Sequence, residues 1–181
     1  VPVVVHAATP AAAIGFPAAR FDMVRIGIAM YGVTPAAGIG EDLGLVPALS
    51  LRSRVSHVKR LSAGDAVSYG LRYSLPRDAT IVTVPIGYAD GVPRNLGATG
   101  AHVVIRGQRF PIAGTVTMDQ LLVDVGEQPV EIGDAVTLIG REGEAMVTAE
   151  EWAARRGAID VMQIDLYDAT GVIPPPVPGA A

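Results

Sequence analysis

Beyond Pro47 the chain is cut into short apolar runs by turn-forming residues, and that punctuation constrains the fold more than anything else in the sequence. Glycine (21) and proline (14) are abundant among its 181 residues. The runs at 49–59, 81–86, 102–106, 109–112, 121–125 and 135–139 read as strands. Turn signals about every 8–12 residues between short strands predict a mainly β fold, a closed or partly closed barrel or a sandwich. Gly107-Gln108 reads as a two-residue hairpin that places glycine first. The sequence Gly64-Asp65-Ala66-Val67 recurs as Gly133-Asp134-Ala135-Val136, each a turn feeding a strand, though four residues do not establish a repeat. One helix is predicted after Pro47, with Thr148 and Glu151 as a capping box, Trp152 on its body and an end near Gly157. The proline-rich tail at 173–181 reads as extended or disordered.

Residues 1–46 have another texture. Residues 1–5 read as a buried strand, Thr9 and Pro10 as the cap and first position of a helix, 21–25 as a second strand, and 27–32 as a short helix. That order is a parallel α/β pattern. A Gly- and Pro-rich linker follows, so the chain divides at residues 46/47 into a short α/β piece and a β-rich domain of residues 47–181. It opens on strand-like sequence without an initiator Met, as a fragment or processed product does.

The bulk chemistry excludes several classes of function. A formal charge of −4 argues against nucleic acid or an anionic membrane as partner. No apolar run approaches the roughly 20 residues needed to span a bilayer, and no signal peptide is evident. The absence of cysteine removes disulfides, thiolate metal sites and cysteine nucleophiles, and fits a cytoplasmic protein. His57 and His102 have no ligand partners at useful spacing, so no metal site is predicted.

Three motifs carry the chemistry: Val67-Ser68-Tyr69-Gly70, then Gly87-Tyr88-Ala89-Asp90-Gly91, then Met118-Asp119-Gln120. A tyrosine between a small residue and a glycine is a phenol on a tight turn, free either to reach outward or to bond a backbone carbonyl. Taken with Phe21-Asp22-Met23-Val24-Arg25 and Gly27-Ile28-Ala29-Met30-Tyr31-Gly32, the motifs stand in an order that resembles the C-terminal part of bacterial alanine racemases. The resemblance reaches to about residue 160. It implies a β-barrel-like C-terminal domain preceded by the last strands of a (β/α)₈ barrel that binds pyridoxal phosphate.

Each candidate residue has a functional reading from that resemblance and a structural one beside it. Tyr69 is implied as the acid/base group on one face of the α carbon, reaching the partner subunit's active site across a homodimer. A phenol with an ordinary pKa near 10 reprotonates a carbanion readily, but needs hydrogen bonds or cations to serve as a base near neutral pH. Arg25 is implied as the partner of the pyridine nitrogen, or else a surface ion pair. The Gly27 and Ile28 amides are implied at the phosphate. His6 supports Arg25 or simply ends its strand. Met118, through its amide, and Asp119 are implied to help fix the substrate carboxylate and neighbouring groups, or else form a turn. Tyr88 and, more loosely, Arg94 line the substrate entrance, while Asp90 reads as a turn former.

The pattern also departs from the family. Its H-x-A-N-S motif stands here as His6-Ala7-Ala8-Thr9-Pro10, and Pro10 lacks an N–H. The usual ending, a phosphate-binding tyrosine followed by R-V-P-R, is replaced by sequence in which Tyr167 is a displaced equivalent at most. The sole lysine, Lys59, lies in strand-like sequence, and the barrel portion that bears the cofactor lysine is not in the chain. The expected function is therefore racemisation of L- and D-alanine with pyridoxal phosphate, to which this chain contributes the tyrosine and needs the barrel domain for the rest. By itself it is expected to be inactive and to bind the cofactor poorly. The alternative is a non-catalytic dimerisation or binding module derived from such an enzyme.

Overall fold

The structure is a computed structural model that describes residues 2–36 and 38–156. It is mainly β, with few helices. Near the N-terminus Thr9 caps α1 (Pro10–Gly15), its hydroxyl accepting the Ala12 N–H at 3.5 Å, with Pro10 at the first position. The strands follow: β1 (Leu51–Arg54), β2 (His57–Leu61), β3 (Ala66–Val67), β4 (Tyr73–Ser74), β5 (Ala79–Val84), β6 (His102–Ile105), β7 (Gln108–Pro111), β8 (Leu121–Gly126), β9 (Ala135–Glu142) and β10 (Ala145–Val147). Helix α2 (Ala149–Arg155) closes the described part.

All ladders are antiparallel. One sheet runs β1-β9-β6-β7, with β10 also on β9; a second runs β2-β5-β8; β3 and β4 form a separate hairpin. The chain changes sheets at Val55 and Ser56: the Val55 N–H donates to Asp134 in the first, and the Ser56 N–H donates to Thr83 in the second. That switch interrupts the alternation of 49–59 and makes two strands of it. The sheets meet again where Ile112 bridges Val123. Among the described residues they do not close into a barrel.

The main core lies between these sheets and under α2. It joins Val82 and Val84, Val103 and Ile105, Phe110, Leu121 and Val123, Val136 and Leu138, and Trp152. Deleting a buried indole such as Trp152 costs about 3–5 kcal/mol. Because strand side chains alternate between faces, β5 and β8 also feed a smaller cluster, in which Leu75, Ala79, Ile81 and Ala113 pack with Val67, Tyr73 and Leu122. This second cluster sits beneath the β3–β4 hairpin.

Three local expectations are corrected and one is refined. Residues 2–5 form no strand: the parallel α/β pattern is reduced to one bridge between His6 and Met23, with Asp22 and Arg25 N–H groups donating to Val5 and Ala8. A parallel pair needs cover on both faces, and Val3 is 82 % exposed. The short helix expected at 27–32 is a 3₁₀ turn over residues 28–31, ended by Gly32 in the left-handed region. The hairpin turn is Arg106-Gly107, since Ile105 pairs with Gln108. Both turn residues have positive φ (51° and 72°), the twist that suits two antiparallel strands. Arg106 holds this conformation with its guanidinium bonded to the Pro129 carbonyl and to Asp134. Finally, Thr148 caps α2 through the Glu151 N–H at 3.1 Å, but the Glu151 carboxylate turns to Arg109 (2.5 Å) and Arg155 (3.1 Å), which completes no reciprocal box. Gly157, Tyr167 and the tail at 173–181 lie outside the described residues.

The two Gly-Asp turns are built alike. Asp65 accepts the Ser62 N–H at 2.9 Å and Asp134 accepts the Glu131 N–H at 2.8 Å. Leu75 then brackets the first turn by two backbone bonds, as Val55 brackets the second.

Candidate functional site

Five of the residues singled out in the sequence converge on one cleft. Tyr69, Tyr88, Arg94, Met118 and Asp119 line it together with Val116 and Thr117, around a volume of about 310 Å³. Tyr69 stands 70 % exposed on the turn between β3 and β4. The Arg94 guanidinium lies over its ring, 6.0 Å from the centroid, a cation–π contact worth about 0.5–1 kcal/mol at an exposed site. Tyr88 opens a short 3₁₀ turn, Tyr88–Asp90, in which Asp90 accepts the Gly87 N–H at 2.9 Å and thus forms the turn itself.

Segment 114–120 is the hub that gathers these residues. Tyr88 and Ala89 donate their N–H groups to the Thr117 and Met118 carbonyls, both at 2.9 Å, and the Val116 N–H donates to the Arg94 carbonyl at 3.1 Å. The Thr117 hydroxyl donates to the Gln120 carbonyl at 2.9 Å and closes the loop that carries Met118 and Asp119. Glycine is required at the closest approach: a Cβ on Gly87 would lie 2.3 Å from the Thr117 oxygen. The local sequence P-I-G-Y-A-D-G therefore reads as packing chemistry, with the glycine admitting the neighbouring backbone and the aspartate bracing the turn.

Sequence reasoning missed a polar anchor beneath the turn. The Tyr73 hydroxyl donates to Asp124 Oδ2 at 2.7 Å, and Asp124 Oδ1 accepts the Gly126 N–H at 2.8 Å. Asp124 is 3 % exposed, with Arg77 at 3.9 Å. A hydrogen bond to a charged group contributes about 1.5–3 kcal/mol. Burial, then the bond to Asp124 and its charge, push the Tyr73 phenol up to about 12. The available signal was an aspartate inside the apolar run Leu121-Leu122-Val123-Asp124-Val125.

The other candidates lie on the N-terminal segment and do not line this cleft. Arg25 is exposed, and one of its terminal nitrogens donates to the Ala7 carbonyl at 3.0 Å. His6 pairs by backbone with Met23, two residues before Arg25. Gly27 precedes the 3₁₀ turn Ile28–Tyr31, and a Cβ there would meet nothing within 4 Å. Lys59 lies on β2 in a separate groove with His57, Asp65 and Thr83. Among the described residues no three His, Cys, Asp or Glu side chains are grouped to hold a metal ion. No described helix is long and apolar enough to cross a membrane.

The chain is thus a mainly β domain in which a tyrosine turn and a Met-Asp loop face one another across a single open cleft. The family model described as alanine racemase, C-terminal domain, matches residues 48–165, and the chain belongs to that family. It is 48 % identical over 153 residues to the alanine racemase of Symbiobacterium thermophilum, covering 84 % of this chain and 40 % of that protein. It is 44 % identical over 149 residues to the alanine racemase of Nostoc sp., covering 82 % and 38 %. The fold is similar to the crystal structure of alanine racemase from Bacillus anthracis with bound L-Ala-P, with a TM-score of 0.83 and 40 % identity across 94 % of this chain and 43 % of that one. The chain thus spans about two fifths of the length of the curated relatives it matches.

Proposed function

We propose that this chain is the tyrosine-bearing part of a pyridoxal-phosphate-dependent racemase that interconverts L- and D-alanine. One observation carries the reading: Tyr69, Tyr88, Arg94, Met118 and Asp119 share a single open cleft in a chain whose relatives are alanine racemases. Residues 1–46 are then the end of the cofactor-binding barrel, and residues 47–181 the C-terminal domain. The start of the family match at residue 48 supports that division. The exposure of Tyr69, Leu71 and Met118 supports a homodimer in which the tyrosine reaches the partner subunit's active site. Freedom from cysteine supports a cytoplasmic location.

Racemisation needs an acid/base group on each face of the α carbon. Tyr69 gives or takes the proton on one face through its hydroxyl. The Met118 amide N–H donates to the substrate carboxylate and Asp119 helps fix the neighbouring groups, with Tyr88 and Arg94 at the entrance. Pyridoxal phosphate, when bound, supplies the electron sink that lets the α proton leave. Two groups of residues in this chain would hold it. Arg25, held by the Ala7 carbonyl, would offer a permanent charge to the pyridine nitrogen, and the Gly27 and Ile28 amides, on an open turn, would meet the phosphate. His6 lies beside this strand bridge as support. The Thr9 hydroxyl is engaged as a helix cap, and Pro10 has no N–H to give. Lys59 stands apart from the cleft, so the lysine that holds the cofactor comes from the barrel domain.

The test is reconstitution with a separately made barrel domain. The chain alone, with added pyridoxal phosphate, has no racemase activity; the assembly has it, and Tyr69→Phe lowers kcat by at least about 10²-fold. Full activity in the isolated chain, or an unchanged kcat in the Tyr69→Phe assembly, overturns the reading.

A further inference from the structure

We infer that Ser68, Tyr73 and Asp124 are positioning residues that set where the Tyr69 phenol stands over the cleft. The inference rests on the reading of Tyr69 as a proton-transfer group and adds what holds that group still. β3 and β4 contribute only two residues each to their ladder, and Tyr69 itself is mostly exposed. A two-residue pairing cannot fix the height of an exposed ring by backbone bonds alone.

Two side-chain tethers do so. The Ser68 hydroxyl accepts the Thr115 N–H at 2.6 Å and donates to the Thr115 carbonyl at 2.9 Å, clamping one peptide position from both sides. The Tyr73 hydroxyl donates to Asp124 at 2.7 Å, and that carboxylate is immobilised by the Gly126 N–H. Ser68 and Tyr73 flank Tyr69 on the hairpin. Their landing points, Thr115 and Asp124, flank Met118 and Asp119 on the facing segment. Both tethers therefore tie the tyrosine to the same stretch of chain that would meet the substrate, and a shift of that stretch carries the phenol with it. Tyr73 stays protonated across the neutral range, with its phenol up at about 12, so it remains a donor to Asp124 and does not act as a second base.

The experiment labels the tyrosine rings of the 181-residue chain and measures nuclear Overhauser contacts between the Tyr69 ring and the Arg94 side chain. Ser68→Ala and Tyr73→Phe each remove one hydroxyl and leave the packing in place. Each variant is expected to weaken the Tyr69–Arg94 contact several-fold while the fold is retained. In the reconstituted enzyme the same variants lower kcat about tenfold or more, since a displacement of the order of an ångström is costly to proton transfer; KM changes far less. Unchanged Tyr69–Arg94 contacts in both variants overturn the inference. Should Tyr73→Phe fail to fold, Ser68→Ala decides. A wild-type assembly without racemase activity overturns the functional reading instead, and the contact measurement still decides this one.

Discussion

Ser68, Gly70 and Leu71 hold left-handed backbone, with φ of 72°, 76° and 52°. For serine and leucine this costs about 1–3 kcal/mol each and persists only where surroundings dictate it. Here the Thr115 clamp does the dictating, and Gly114 makes room for it. Gly114 has φ of +80°, and a Cβ there would lie 2.5 Å from Ser68 Cβ. Gly114→Ala is therefore expected to lower stability by about 2 kcal/mol or more in urea denaturation; a loss under about 0.5 kcal/mol contradicts the packing described. At this scale the sequence was readable where the chemistry is local. Tyr69, Tyr88, Met118 and Asp119 sit in turn motifs whose glycines and aspartate announce the backbone they need. Asp124 stood out as an aspartate inside an apolar run, but its role was not readable, because its side-chain partner is a tyrosine 51 residues away.

The elements behave as pairs of faces. β8 sends Leu121, Val123 and Val125 to the main core, while Leu122 packs in the smaller cluster and Asp124 meets Tyr73. That two-sided burial makes the Tyr73–Asp124 bond a hinge between the hairpin and the second sheet, and it has a pH signature. The folded-state pKa of Tyr73, about 12, lies above its unfolded value near 10. Its contribution to stability is thus present below about pH 10 and lost as pH rises toward 12. In alkaline denaturation Tyr73→Phe should flatten this part of the stability profile, and an identical slope in wild type and variant would count against the bond. Strand positions were legible because alternation and turns write them locally. The exceptions are non-local or too short to show a pattern: the turn of the β6–β7 hairpin is fixed by register, the break at Val55 by a change of partner sheet, and β4 and β10, of two and three residues, carry no alternation to read.

At the scale of the molecule the two parts differ in how much apolar surface they bury. The β-rich part has its own core, whereas residues 2–46 leave Val3, Phe16, Phe21 and Met30 exposed around a single parallel bridge. The α/β texture of that segment was visible in the sequence, but a parallel strand becomes a strand only with neighbours that cover both its faces. The central claim is that Tyr69 serves one face of the substrate and a group outside this chain serves the other. It is tested most directly by incubating the reconstituted Tyr69→Phe enzyme in D₂O with L-alanine and D-alanine separately and following deuterium entry at the α carbon. The account predicts that exchange is lost for one enantiomer and retained for the other, with racemisation abolished; racemisation that continues at the wild-type rate would contradict it.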